Sequence, residues 1–359
     1  MAVRRTRPAR RASSSTGRLR ALALLAASLA LVTVGVAPAG AEPTHTPGGP
    51  CLQDDQAVEL SSVAGYDDVV NQLNRIEQSS SGRVTVASAG QSGEGRELLY
   101  ATVGDGPTTF WLQARIHGNE LHSTEAALQV LRTLASSGSP AAQTIREGLT
   151  VVVIPMYNPD GATADIRQST TPTRTDLNRD WENFVQPESV AFWHLFEQLR
   201  PELGLDLHHM SSAPRVAGTD DLNQFQIGAR TVDPSRLTAQ QWLVGRQMAE
   251  TTIDALAGQG QTHLARYPDI DITNAVLSRM LIGGDAPTGE TPLGQDVMRG
   301  AIFYEVRSVG QKSNGYLEEI FRVPTMAVLE AAADGSLFTQ DTAAYAALPY
   351  ATGGACGQG

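Results

Sequence analysis

Residues Thr109–Leu134 read TFWLQARIHGNELHSTEAALQVLRTL, and their reading decides the fold. The first eight make an apolar run of strand length. The last twelve, from Ser123, repeat apolar side chains at helical spacing, with Ser123 placed as an N-cap. Between strand and helix the chain crowds His117, Glu120, His122 and Glu125 into nine residues. That crowding fits a metal site or an ordinary polar loop, and the rest of the chain has to decide.

Working outward, Arg83–Gly90 and Glu97–Gly106 read as strands joined by the glycine-rich QSGEGR. LTVVVIPMY from Leu149, LGLDLHHM from Leu203 and AIFYEVRSV from Ala301 are further apolar runs of strand length. Helical spacing fits Gly65–Glu77, Val190–Leu199, Ala239–Leu256 and Tyr316–Ala332. Strands apolar throughout and alternating with helices indicate a single α/β domain, with a mixed, mostly parallel twisted sheet flanked by helices. The expected domain spans residues 65–335, after an irregular segment 42–64 and before a C-terminal tail 336–359.

The first twenty residues carry seven arginines and no acid. An apolar run follows from Ala21 and closes on Ala39-Gly40-Ala41. This is the layout of a secretory signal peptide cleaved after residue 41, so the expected location is extracellular. Cleavage removes seven of 27 basic residues and none of the 38 acidic ones, leaving a formal charge of −18. So acidic a chain argues against nucleic acid as a partner, and against a membrane for the mature form. Cys51 and Cys356, the only cysteines, are expected to pair in an oxidising destination and tie the two ends together.

Four chemistry-bearing segments sit at strand ends: HGNE after TFWLQARI, NPDG after LTVVVIPMY, His208 in LGLDLHHM and Glu305 in AIFYEVRSV. Open α/β sheets bind ligands in the crevice at the carboxyl ends of their strands. His117 and Glu120 form H-x-x-E, with Gly118 allowing a sharp turn. With His208 they make three ligands and leave a fourth zinc position open, as a catalytic site requires. His209 should point to the opposite face of its strand, whereas Asp206 shares the face of His208 and is placed to orient an imidazole. His122 and Glu125 are assigned to the helix and not to the metal. Glu305 interrupts an apolar strand and is the candidate general base; its plain alternative is a buried pair with Arg307. Asn178 and Arg179, with Arg167 and Arg174 before them, offer guanidinium forks for a carboxylate or surface charge.

Taken in order, GEGRELLYATVGDG, IHGNE, NPDG, DLNRDW, DLHH and FYEVRSVG resemble the zinc metallocarboxypeptidases (peptidase family M14), across residues 65–332. HGNE and DLNR are closer to the carboxypeptidase D and E branch than to the digestive enzymes. The resemblance implies one zinc per chain on His117, Glu120 and His208, with Glu305 as general base. It implies Asn178 and Arg179 on the substrate's terminal carboxylate and Arg167 on the oxyanion, with Arg174 as competitor for that role. It also implies a monomer acting on peptides with a free C-terminal carboxylate. The chain departs from the digestive pattern in GGDAPTGETPLGQD, which holds no tyrosine where those enzymes carry one on a mobile loop. Tyr267 lies further upstream, and Tyr304 should face away from Glu305. Two other readings stand beside the first: a zinc amidohydrolase of the same fold acting on cell-wall peptides or N-acyl amino acids, and a peptide-binding module without catalysis.

Overall fold

The computed structural model describes residues 63–210, 214–219, 221–261, 263–294, 298–308 and 313–352. The expected leader, most of the segment 42–64, and both Cys51 and Cys356 lie outside the described residues. The apolar runs become strands of one eight-stranded sheet. In chain order these are β1 (Val84–Gln91), β2 (Glu97–Val103), β3 (Thr108–Ala114), β4 (Leu149–Ile154) and β5 (Leu203–Met210). Beyond the two-residue β6 (Arg215–Val216) come β7 (Phe225–Gly228), β8 (Leu264–Arg266) and β9 (Gly300–Arg307). Their order across the sheet is β1-β2-β4-β3-β5-β9-β7-β8. The four central strands β4, β3, β5 and β9 run parallel. β1, β2 and β7 join antiparallel, which makes the sheet mixed.

Because β4, β3, β5 and β9 are parallel neighbours, their carboxyl ends open at one edge. HGNE, NPDG, His208 and Glu305 are therefore delivered to the same crevice, and His208 pairs in register with Glu305 on the adjacent strand.

Within these all-apolar strands, alternation assigns faces. Phe110, Leu112 and Ala114 of β3 join a core with helices α1 (Tyr66–Ser79), α2 (Ser123–Ser136), α3 (Pro140–Gly148), α6 (Ala239–Gly258) and α8 (Asn314–Asp334). Trp111, one residue out of phase, joins the other layer with α5 (Pro187–Leu199) and α7 (Val276–Ile282). There its ring meets Phe192 and Phe196 edge-on at 6.5 and 6.2 Å. A buried aromatic removes about 150–250 Å² from water. At about 25 cal/mol per Å² that contributes about 4–6 kcal/mol before conformational entropy.

Three elements differ from expectation. The short α4 (Pro159–Ala164) forms on NPDG, where Asn158 caps Gly161 N. Helix α2 has His122, not Ser123, at its N-cap, and the Ser123 hydroxyl turns back to Glu120 O at 3.0 Å. The tail expected from residue 336 is built into the domain over its described part. Leu337 and Tyr345 are buried in the core, and β10 (Ala351–Thr352) pairs with β6.

Glu188, in the first turn of α5, is fully buried; one carboxylate oxygen accepts from Gly93 N–H at 3.2 Å. Its other oxygen has no partner among the described residues. Burial pushes its pKa up to about 7 from 4.5, against the lowering effect of the nearby backbone N–H groups. A carboxyl whose folded pKa is raised stabilises the fold fully below its unfolded value, and that contribution disappears as pH rises through about 7. Urea unfolding of Glu188→Gln should therefore show a smaller loss of stability between pH 5 and 8 than the parent, by up to about 3 kcal/mol. Identical pH dependence in the two proteins would contradict this assignment.

Candidate metal centre and substrate cavity

The turn after β3 is made possible by close backbone approach. A Cβ on Gly118 would lie 2.0 Å from Gly161 C, so the HGNE turn sits directly on the start of α4. Arg115 takes a left-handed φ of 55°, held by its guanidinium donating to Gly118 O and Ala64 O at 2.9 and 3.1 Å. Buried Asn158 accepts from Gly161 N–H and donates through Nδ2 to Ile116 O and Arg167 O, both at 3.3 Å. One amide thus fastens the HGNE turn to the segment that carries Arg167.

His117, Glu120 and His208 are all buried, and their ligand atoms lie within 4.8 Å of one another. His117 Nδ1 is 2.5 Å from Glu120 Oε1, His208 Nδ1 is 2.9 Å from Glu120 Oε2, and the two Nδ1 atoms are 3.2 Å apart. His208 Nε2 donates to Asp206 Oδ2 at 2.8 Å, which leaves the Nδ1 lone pair aimed at the centre. His117 Nε2 lies 3.3 Å from Asp176 Oδ1, within ion-pair distance but without the geometry of a hydrogen bond. Two imidazole lone pairs and a carboxylate at such separations repel unless positive charge lies among them, and Arg167 Nη1, 3.1 Å from His117 Nδ1, brings some of it. Two imidazoles and one carboxylate are a zinc donor set, and each imidazole is backed by a carboxylate that raises its basicity. The residues present therefore fit the metal.

The surrounding carboxylates make the centre strongly favourable to positive charge. Burial alone would push the His208 pKa down, yet the charges of Asp206 and Glu120 outweigh it and hold it well above its ordinary value. Burial would raise the Glu120 pKa, and the two imidazoles reverse that, keeping it well below the carboxylate range. Glu305 is pushed up to about 7, first by burial and then by the charge of Glu120.

Arg167 reaches the same centre. Its Nε and Nη2 donate to Asp176 Oδ2 at 3.1 and 2.9 Å, and its Nη1 lies 3.7 Å from Glu120 Oε1. Asp176 therefore orients both a candidate ligand and the arginine. It was not singled out from the sequence, although it opens the DLNR motif. Asn178 and Arg179 follow on a single 3-10 turn. Asn178 Oδ1 accepts from Val276 N–H at 3.0 Å and Asn274 Nδ2 donates to Arg179 O at 3.1 Å, so the start of α7 and the residues just before it fix both.

A cavity of about 110 Å³ joins these groups: His117, His208, Arg167, Asn178, Arg179 and Glu305 all line it. Arg174 does not; it is exposed, because the chain leaves the cavity between Arg167 and Asp176. Of the two arginines weighed for the oxyanion, the geometry brings Arg167 to the centre. His209 points away to pack edge-on against His122 at 5.6 Å, and Glu125 lies within α2, its Oε1 accepting from Ala64 N–H. Tyr304 OH is within 2.7 Å of Thr252 Oγ1 in the opposite layer, and Arg307 donates to Asn223 O and Gln224 Oε1. Tyr267, set aside in the sequence for its position, does line the cavity.

Fold and site together give an α/β chain with a candidate three-ligand metal centre, the number that leaves a fourth zinc position open. Residues 69–213 match the family described as Zinc carboxypeptidase. It is 30% identical over 112 residues to "Probable carboxypeptidase 2" of Arthroderma benhamiae, covering 31% of this chain and 21% of that protein. The matched region thus spans about a fifth of that curated relative. Among solved structures, the metallo-carboxypeptidase from Burkholderia cenocepacia superposes with a TM-score of 0.57 at 16% identity, covering 75% of this chain and 69% of that one. Carboxypeptidase A from Helicoverpa armigera gives 0.58 at 18%, covering 76% and 74%. These structures share the fold.

Replacing His208 with alanine should abolish stoichiometric zinc, measured by elemental analysis of the dialysed protein. The His209→Ala protein should retain it. The reverse pattern would mean that the wrong face of β5 had been assigned to the metal.

Proposed function

We propose that this protein is an exported zinc carboxypeptidase that removes C-terminal residues from peptides. The observation that carries the reading is the meeting, in one cavity, of the His117–Glu120–His208 donor set, Glu305, and the guanidinium and amide groups of Arg167, Asn178 and Arg179. Export is supported by the arginine-rich, then apolar, leader before residue 42.

Bound zinc supplies Lewis acidity at the scissile carbonyl and promotes ionisation of water. The chain's own residues do the rest. Arg179 and Asn178 hold the terminal carboxylate, Arg179 with a charge-assisted fork and Asn178 with its amide N–H, since its Oδ1 is already occupied by Val276 N–H. That grip sets which peptide bond lies at the centre. Arg167, locked by Asp176, presents Nη1 beside the ligand set, where negative charge develops on the carbonyl oxygen. Glu305, in register with His208, takes a proton from the attacking water and passes it to the leaving amine. Its raised pKa marks a carboxylate poised to exchange protons near neutrality. Catalysis requires the ionised form, so activity should rise with pH through the acid limb. The added positive charge of a metal should draw that limb below 7.

The test is Glu305→Gln. The amide keeps the size and hydrogen-bonding reach of the side chain but cannot accept a proton. Zinc content and melting temperature should stay near parental values while kcat falls about 10²–10⁴-fold and the acid limb of the pH profile disappears. A variant that melts lower yet turns over at the parental rate would remove Glu305 from the mechanism and leave it a structural group.

A further inference from the structure

The polar half of the cavity binds what every peptide C-terminus shares; the other half has to distinguish one side chain from another. Its walls come from the run after β8 and from β9: Tyr267, Ile270, Ile272, Ala275, Leu277 and Phe303. These walls are pinned. Tyr267 N–H donates to Ile227 O and Ile272 N–H to Thr231 O, both at 3.0 Å, and Ser278 Oγ reaches the same Thr231 carbonyl at 3.4 Å. The rings of Tyr267 and Phe303 meet edge-to-face with centroids 4.9 Å apart. The Phe303 ring in turn lies over Gly228, where an added Cβ would fall 2.0 Å from Phe303 Cε1. Phe303 also abuts the ligand His208, ring to ring at 6.1 Å. Two large aromatic side chains therefore occupy space in which a longer substrate side chain would lie.

The volume decides what remains. An apolar cavity of about 150 Å³ accommodates benzene. Here about 110 Å³ must hold the terminal carboxylate as well as the side chain. In that space a methyl, isopropyl or isobutyl group is accommodated more readily than a phenyl or indole. A lysine or arginine would bring its charge against an apolar wall. Asp206 also lines the cavity; its Oδ2 serves His208, while its buried Oδ1 has no hydrogen-bond partner among the described residues.

We propose that the Tyr267–Phe303 pair limits this protein to substrates ending in small or branched aliphatic residues, with Tyr267 as the specificity-determining side chain. The proposal rests on the carboxypeptidase reading above and adds the class of residue removed. It acts through bulk and not through the phenol, so Tyr267→Phe should keep the parental preference. Tyr267→Ala should open the wall.

The test uses the zinc-loaded protein and blocked dipeptides that differ only in the last residue: alanine, leucine, phenylalanine or lysine. The parent should favour leucine or alanine over phenylalanine by at least about tenfold in kcat/KM, and Tyr267→Ala should shift the phenylalanine-to-leucine ratio upward by a similar factor. Calorimetric binding of N-acetyl-leucine and N-acetyl-phenylalanine provides a readout independent of turnover, and Tyr267→Leu substitutes if the alanine variant does not fold. Preference for phenylalanine in the parent, or an unchanged ratio in folded Tyr267→Ala and Tyr267→Leu, would overturn the proposal. Preference for lysine would also overturn it and would point to Asp206. If no dipeptide is cleaved but N-acetyl-leucine binds more tightly than N-acetyl-phenylalanine, the size selection stands and the peptidase reading fails.

Discussion

Three buried lone-pair donors, two imidazole nitrogens and a carboxylate, converge until the nitrogens stand 3.2 Å apart. Nothing in ordinary packing favours that arrangement. Each group loses solvation on burial and each repels the others unless positive charge sits between them. The surrounding acids deepen the demand: Asp176 and Asp206 back the imidazoles, and Glu305 stands on the next strand. Such a site suits a cation, and the rest of the fold holds the three groups together against their repulsion.

Rigid elements do that holding. His208 and Glu305 are fixed by neighbouring parallel strands, buried on both faces by the two helical layers. His117 and Glu120 stand on a turn that glycine alone permits, since a side chain at Gly118 would strike the backbone at Gly161. The arginine segment is the least regular part, and it is tied down most heavily. Asn158 bonds to Arg167 O, Asp176 grips the Arg167 guanidinium, and α7 donates to Asn178. The glycine-rich hairpin between β1 and β2 adds a brace from outside, where Glu94 Oε1 accepts the Thr170 hydroxyl at 2.5 Å and Gly93 packs against Thr171 O. Substrate-holding groups on loops need such bracing because a misplacement of about 1 Å can cost about 100-fold in rate.

How much of this was legible in the sequence follows from physical length scales. The long central strands are continuous apolar runs, and their carboxyl ends could be placed because each is followed by a turn or a polar cluster. The side-chain period of two then placed His208 with Asp206 and turned His209 away. β7 and β8, of four and three residues, are too short for any period to register. The cavity wall they frame could consequently not be assembled, although Tyr267 was noted and Phe303 lay on the AIFYEVRSV strand. Helix α3 carried its own signal, Ser139 as N-cap with Pro140 at the first position, and was overlooked for lack of a long apolar repeat. Arg174 and Arg167 looked equivalent because sequence distance from DLNR does not say which way a loop folds; only the bond from Asn158 to Arg167 O and the Asp176 clamp separate them. Asp176 itself was hidden in plain view, since a carboxylate beside arginines reads as surface pairing until an imidazole is found across from it.

The most direct measurement of the central claim is X-ray absorption spectroscopy at the zinc edge on stoichiometrically loaded protein. This account predicts one zinc per chain with two imidazole nitrogens at about 2.0–2.1 Å, the remaining ligands being oxygen at about 2.0–2.2 Å. Sulfur scattering at about 2.3 Å, or a shell with fewer than two imidazoles, would contradict it.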